Sequence, residues 1–270
     1  MQNAMSKKLL FNPEGCDDTE GRAIVGGSTT NIFNLNDVKY DWGNKMYRMM
    51  TQNVWFPEKV SLVEDKREYT KLTVPERRAY DGILSFLVFL DSVQVNNLGN
   101  ISDFITAPEV NLPLAIQIFQ EAIHSQSYQV VIESVIPAQS RTGIYDKWRA
   151  DKVLFNRNKY IAQIYQDFID TPTQKNFAKA LVANYLLEGV YFYNGFNFFY
   201  NLANRGLMKG TSEMIRYINR DEMTHCTLFE HIIKTLDEEQ PTFFIWDDVR
   251  EMFRTAVEQE IAWTTHIIGE

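Results

Sequence analysis

The fold class that this 270-residue sequence predicts is an all-α bundle enclosing a dinuclear metal site, and three observations carry the prediction. Long apolar stretches run on with few turn signals, because the chain has only 13 Gly and 8 Pro, and no series of alternating segments reads as strands. Two Glu-x-x-His steps, Glu121/His124 and Glu222/His225, fall inside apolar helical segments of a chain with only 4 histidines. Asp91 and Glu188 each stand alone in a further, strongly apolar segment.

Residues 1–35, rich in Asn, Gly and Thr and without periodicity, are expected to form an N-terminal arm, in part flexible, ahead of a single helical domain over 36–270. Asp37 to about Val54 reads as a short helix ending before Phe56-Pro57, and a polar connection follows. Thr73-Val74-Pro75-Glu76 is a strong helix start: Thr caps, Pro suits the first turn where an N–H would be idle, and Glu at the third position can bond back to the cap. The helix it opens runs through ILSFLVFLDSVQVNNLGNI and carries Asp91. Pro108 or Pro113 opens the next, which holds Glu121, His124 and Tyr128 and ends near Pro137. Tyr145 to about Ile169 is expected to be one more polar helix, and Thr171-Pro172 starts another that carries Glu188 to about Leu202. Thr211 to Leu236 holds Glu222 and His225 until Asp237-Glu238-Glu239-Gln240-Pro241 breaks it, and a last amphipathic helix begins near Trp246.

Composition narrows the partners. A net charge of −8 and a pI near 5.2 repel a phosphate backbone, and no cluster of Lys and Arg interleaves with aromatics, so nucleic acid is not expected as a partner. No stretch reaches the roughly eighteen consecutive apolar residues that spanning a bilayer requires, so no membrane span is expected either. The richest segment, Tyr185 to Tyr200, carries Glu188 and two Asn and reads as an internal helix. Cys16 and Cys226 are too few for a disulfide framework, and the opening MQNAMSKKLLFNPEG lacks the apolar stretch of a secretion signal, which makes the cytoplasm the expected compartment.

A Glu-x-x-His step puts a carboxylate and an imidazole on one face of a helix, so two such steps supply half of a dinuclear site. Two more carboxylates on two further helices complete it. Asp91 and Glu188 are the candidates, since an unpaired charge in an apolar helix costs several kcal/mol, order of magnitude, and a shared dication removes that cost. Metal ligands Asp91, Glu121, His124, Glu188, Glu222 and His225 thus define a ferritin-like bundle. Hard carboxylate oxygens with one imidazole per ion favour iron, with manganese open on the same ligands, whereas a structural zinc site would use thiolates. Cys226, next to His225, points to another side of its helix. Taken singly, each of these residues has a bland alternative as a salt-bridged acid or a core histidine; taken together on four helices they do not.

The chain resembles the small, radical-generating subunit of class I ribonucleotide reductase. The resemblance rests on VWFPEKV around Trp55, FLDSVQ around Asp91, EAIHSQSY from Glu121 to Tyr128, LLEGVYFYNGF around Glu188 and IRYINRDEMTH ending at His225, and covers about residues 35–268. It implies that the six residues named above bind the metals, that Tyr128 bears the radical, and that Phe192, Phe196 and Ile218 form an apolar pocket around it. Asp221 and Trp55 match the family's relay of hydrogen-bonded groups leading away from the metals through His124. Phe192, Phe196, Ile218 and Tyr128 would otherwise be ordinary core, Trp55 an anchor for the entering chain, and Asp221 an ion-pair partner of the Arg220 neighbourhood.

The implied reaction starts with two reduced metals and dioxygen, with Glu188 and Glu222 as carboxylates able to shift, and ends with an oxidising equivalent on Tyr128. That equivalent passes to a separate large catalytic subunit, where ribonucleoside diphosphates are reduced, so this chain needs no reducing cysteine pair. The likeness also implies a homodimer and, for a manganese form, a flavoprotein activator. The chain stops at Glu270, 45 residues after His225, and is therefore expected to lack the family's last helix and tail. Two other readings compete: a ferritin-like dimetal oxidase acting on a bound small molecule or fatty acid, and an iron-storage bundle.

Overall fold

A computed structural model describes residues 4–268, and its helices follow the apolar stretches of the sequence. In chain order they are α1 (Asp41–Gln52), α2 (Val63–Tyr69), α3 (Val74–Ser102), α4 (Pro108–Val135), α5 (Ala138–Ala150), α6 (Lys152–Asp170), α7 (Gln174–Leu186), α8 (Phe192–Asn204), α9 (Lys209–Glu239) and α10 (Trp246–Ile268). A π-helical turn, Leu187–Tyr191, joins α7 to α8 without a break. Among the described residues β pairing is limited to two isolated bridges, Ala4 with Thr173 and Val25 with Ile105. The expected all-α class is therefore the observed one. No helix among the described residues is long and apolar enough to cross a membrane. Residues 1–3 of the expected arm and 269–270 at the end of the expected domain lie outside the described residues.

The helix starts follow their local chemistry. Thr73 and Glu76 form the expected reciprocal pair, the Glu76 N–H donating to the Thr73 hydroxyl at 3.4 Å and the Thr73 N–H to the Glu76 carboxylate at 2.8 Å. Of the two prolines proposed to open α4, Pro108 does so, and Pro113 lies inside the helix. Pro113 has no N–H to give the Glu109 carbonyl four residues earlier. That carbonyl faces Gly43 of α1, where a Cβ would come within 2.6 Å of it, so α1 can seat against α4 only with glycine at this position.

Four expected boundaries are corrected. The single helix expected over 145–169 is two, because Asp151 leaves the helical region (φ −84°, ψ 116°) and its carboxylate accepts the Val153 and Leu154 N–H groups at 3.0 and 3.2 Å, capping α6. The helix carrying Glu188 is capped by Thr173 rather than started at Thr171, and it widens to a π turn at Leu187. The polar connection after Pro57 contains α2. The acidic run from Asp237 to Glu239 belongs to α9, and the break falls at Gln240-Pro241.

α3 and α4 pack side by side through the centre of the core, burying Leu84, Phe86, Leu87, Leu90, Leu114, Val131 and Ile132. Each such side chain contributes about 1.5–3 kcal/mol relative to exposure. The segment before α1 is tied down by two carboxylates. Glu109 receives Arg22 at 3.1 Å and the Lys39 and Tyr40 N–H groups at 2.9 and 3.1 Å, while Glu239 receives the Ile24 N–H at 3.2 Å and the Tyr40 hydroxyl.

On the far side, α10 is fastened by a buried ion pair. The Arg157 guanidinium of α6 donates to Glu260 of α10 and, at 2.9 Å, to the Tyr191 carbonyl that ends the π turn, and it lies 3.6 Å from the centre of the Phe86 ring. Asn194 donates to the other Glu260 oxygen at 2.9 Å. Removing one partner of such a pair strands a buried charge. Arg157→Ala is expected to destabilise the metal-free chain by about 3–5 kcal/mol, read as a lowered urea midpoint; an unchanged midpoint would show that Glu260 needs no partner.

Candidate metal centre

Asp91 on α3, Glu121 and His124 on α4, Glu188 in the π turn, and Glu222 and His225 on α9 converge in the interior, none more than 2% exposed. Their candidate ligand atoms fall into two overlapping groups, Asp91/Glu121/His124/Glu222 and Glu121/Glu188/Glu222/His225, and within each group the atoms all lie within 4.8 Å of one another. Glu121 and Glu222 belong to both. The Oε2 of Glu121 and the Oε1 of Glu222 lie 3.5 and 3.0 Å from His124 Nδ1, and their other oxygens lie 3.2 and 2.7 Å from His225 Nδ1. Each of these two carboxylates therefore offers one oxygen to each position, as a bridge must. Asp91 Oδ2 stands 4.0 Å from His124 Nδ1 and Glu188 Oε2 stands 3.6 Å from His225 Nδ1, as one terminal acid per position.

The helices put these atoms here for reasons visible in the chain. The Glu-x-x-His spacing places both members on one face of α4 and of α9. The π turn meets α9 closely because residue 189 is glycine; a Cβ there would stand 3.1 Å from Cys226 Sγ. The outer imidazole nitrogens are fixed from behind, His124 Nε2 by Asp221 Oδ2 at 3.3 Å and His225 Nε2 by Gln120 Oε1 at 3.0 Å, which turns each Nδ1 inward.

Whether this donor set fits a pair of cations can be tested on the atoms themselves. Both oxygens of Asp91 and Glu222, one oxygen each of Glu121 and Glu188, and both inward Nδ1 atoms are buried without a hydrogen-bond partner. Buried polar atoms are rarely left so. Asp91, Glu121, Glu188 and Glu222 carry four formal charges that two dications neutralise, and oxygen-rich ligands with one imidazole each suit iron or manganese. The residues fit the group.

The electrostatics show what protons alone must do. Burial, then the charges of Glu121 and Glu222, hold the carboxyls of Asp91 and Glu188 well above the ordinary carboxylate range. Burial pulls both imidazoles down, but the Glu222 charge and then the other carboxylates around them outweigh it and raise them. Burial likewise pushes Glu222 up, and the two imidazoles more than offset it. In the absence of cations the site compensates its charge by holding protons.

Tyr128 lies one helical turn beyond His124, 1% exposed, its hydroxyl without a hydrogen-bond partner. Burial and then the charge of Asp91 raise its pKa well above the usual phenol value. Phe192, Phe196 and Ile218 are completely buried, and the two phenyl rings stack at 6.1 Å. Trp55 Nε1 donates to Asp221 Oδ2 at 2.7 Å, the same oxygen that meets His124. Asp221 Oδ1 accepts from Arg220 at 3.1 and 3.3 Å, so the contacts to Trp55 and His124 and the ion pair with Arg220 coexist on opposite oxygens. The indole is 3% exposed, so this chain of bonds ends beneath the surface, with half-buried Tyr217 stacked on it at 5.0 Å.

Sequence reasoning overlooked a belt of amides around Glu188. Gln94 and Gln117 donate to Glu188 Oε1 at 2.6 and 2.9 Å, and Gln94 also donates to Asn184 and accepts from Tyr165. The signal was available: Gln94 follows Asp91 by three residues, Gln117 precedes Glu121 by four and Asn184 precedes Glu188 by four, all helical spacings from an expected ligand.

Comparison with known proteins places the arrangement in a family. The family described as ribonucleotide reductase, small chain, matches residues 32–270. The chain is 45% identical over 269 residues to a ribonucleoside-diphosphate reductase subunit beta of Treponema pallidum (strain Nichols), spanning 98% of this chain and 77% of that protein. It is 35% identical to the subunit beta of Halalkalibacterium halodurans, with the same two coverages. Among solved structures, the ribonucleotide reductase R2 subunit from Clostridium botulinum superimposes with a TM-score of 0.95 at 47% identity, covering 98% of this chain and 84% of that one.

Because Asp91, Glu188 and both imidazoles favour protons when no cation is present, metal binding must expel them. Adding Mn(II) to the chelated protein in weak buffer is expected to acidify the solution, with affinity rising as pH rises. The loaded protein should also melt higher, by the equivalent of about 2.7 kcal/mol once free ion reaches ~100 times its Kd. Binding without proton release, or with no change in melting, would contradict this account of the site.

Proposed function

The chain belongs to the small-chain family of ribonucleotide reductase, and on that premise we propose that it stores an oxidising equivalent on Tyr128 for use by a large catalytic subunit. The reading rests on one observation above all: a phenol with an unpartnered hydroxyl is buried one turn from His124, beside a donor set shaped for two cations. Asp91 and His124 would hold one ion, Glu188 and His225 the other, and Glu121 and Glu222 would bridge them. When bound, the metal pair supplies the capacity to activate dioxygen and oxidise a phenol. Iron is the first choice for that chemistry, and manganese, paired with a flavoprotein activator, is the second.

The chain's own residues set the conditions. Helix spacing holds the Tyr128 ring on the face that carries His124. Phe192, Phe196 and Ile218 add bulk that keeps water and reductants from the oxidised ring. Asp91 is the acid whose charge bears most on the phenol. Trp55, Asp221 and His124 form a continuous set of contacts along which the equivalent would leave, with Arg220 fixing the far oxygen of Asp221.

The activity served is that of a class I ribonucleoside-diphosphate reductase, the present chain acting as subunit beta in a homodimer within a reducing cytoplasm. The reduction of the ribonucleotide itself belongs to the large subunit. The two isolated thiols agree with this, Cys16 being exposed and Cys226 half-buried, neither paired.

The deciding experiment is electron paramagnetic resonance after aerobic reconstitution of the metal-free protein. Wild type is expected to show a tyrosyl signal with two metals per chain, and Tyr128→Phe to keep both metals and lose the signal. A persistent signal in that variant would assign the radical elsewhere, and a wild type with two metals but no signal would favour an oxidase. Phe192→Ala is expected to shorten the lifetime of the radical while retaining both metals; an unchanged lifetime would remove Phe192 from the protective pocket. Asp221→Asn should leave the radical intact and reduce turnover with the large subunit at least tenfold.

A further inference from the structure

The two metal positions are matched in their ligands, an acid and an imidazole each, yet their surroundings differ. Behind Asp91/His124 stands an anion, Asp221, and neither Asp91 oxygen receives a hydrogen bond. Around Glu188/His225 stand neutral amides: Gln120 meets His225 Nε2 at 3.0 Å, and Gln94 and Gln117 both donate to Glu188 Oε1. The second oxygen, Oε2, has no partner and faces His225 Nδ1.

We propose that Gln94 and Gln117 are positioning residues that hold back one oxygen of Glu188 and leave the other as the single oxygen offered to a metal. Glu188 needs such a restraint more than its neighbours. It has one more rotatable bond than Asp91, it does not bridge, and it sits in a π turn rather than a regular α-helix. Gln94 is itself locked, its amide nitrogen also donating to Asn184 Oδ1 at 2.6 Å and its oxygen accepting the Tyr165 hydroxyl at 2.9 Å. The clamp is built by the helices that serve the other metal position: α3 presents Asp91 to one end and Gln94 to the other, and α4 presents His124 and Gln117 in the same way. Two N–H donors on Oε1 also draw charge from the carboxylate, so the ion beside Glu188 would meet a weaker and more directional donor than the ion beside Asp91.

The inference rests on the metal centre proposed above, and its test separates the two. Gln117→Leu conserves volume while deleting one donor, and Gln94→Leu deletes the other. Both would be loaded anaerobically with Fe(II), the ions counted, and near-infrared magnetic circular dichroism recorded, since the ligand-field bands report coordination number. Gln94→Leu, which leaves untouched the 3.4 Å contact of Gln117 with the bridging Glu121, is expected to bind two irons and shift the bands of one of them, leaving the other's in place, because Oε1, held by one donor instead of two, can now reach the metal. Two irons with no band shift in either variant, or with equal shifts of both irons, would overturn the clamp and leave the metal centre standing. A wild type that binds no iron would overturn both. A crystal structure of the Mn(II)-loaded wild type provides a check that needs no variant: both amides should remain bonded to Oε1, and a Glu188 that binds the ion through both oxygens would refute the proposal outright.

Discussion

Four carboxylates buried together in one interior impose the main constraint on this molecule. Asp91 and Glu188 were legible as oddities in apolar helices and Glu121 and Glu222 through their spacing from a histidine, and together the four carry more charge than the fold can hold without compensation from cations or protons. The helices that bring them together, α3, α4, the π turn and α9, are therefore not free to slide. Their register is set by where the oxygens must be, and the apolar packing of Leu84, Leu87, Leu90 and Leu114 is arranged around that requirement.

Around this centre the structure sorts its polar groups by charge. On the side of His124 an acid is used twice, one oxygen for the imidazole and indole and the other for a guanidinium, so this side is acidic and tightly anchored. On the side of His225 the supporting groups are amides, which bond without adding charge. Tyr128 occupies neither network, and its hydroxyl, without a partner, feels the charge of Asp91 first and then those of Glu222 and Glu121.

The sequence was most informative where chemistry and periodicity coincided. Glu121, His124, Glu222 and His225 were visible through helical spacing, and Asp91 and Glu188 through their isolation among apolar neighbours; the structure brings all six together. The Thr73 cap was readable because a capping box is a local motif. What was not readable depended on competition between neighbours. Asp151 looked like one more polar residue in a polar helix until its carboxylate took two N–H groups and divided the helix in two. The contact of Gly43 with the Glu109 carbonyl joins residues from different elements and leaves no mark in either segment. The amide belt was missed for another reason: Gln94, Gln117 and Asn184 lie at helical spacings from ligands, but glutamine and asparagine on a helix usually mean solvent.

The π turn gives the helix through α7 and α8 a property of its own. One residue more than an α-helix would use is accommodated between Leu187 and Tyr191, so the two halves are phased differently, with Glu188 in the turn itself and Phe192, Phe196 and Phe199 in the aromatic core beyond it. Deleting a single residue there would restore a uniform helix and swing every later side chain by about 100°, carrying Phe192, Phe196 and Phe199 off their seats. In this segment the number of residues is as much a part of the inheritance as their identity, and a change of length would do what few substitutions could.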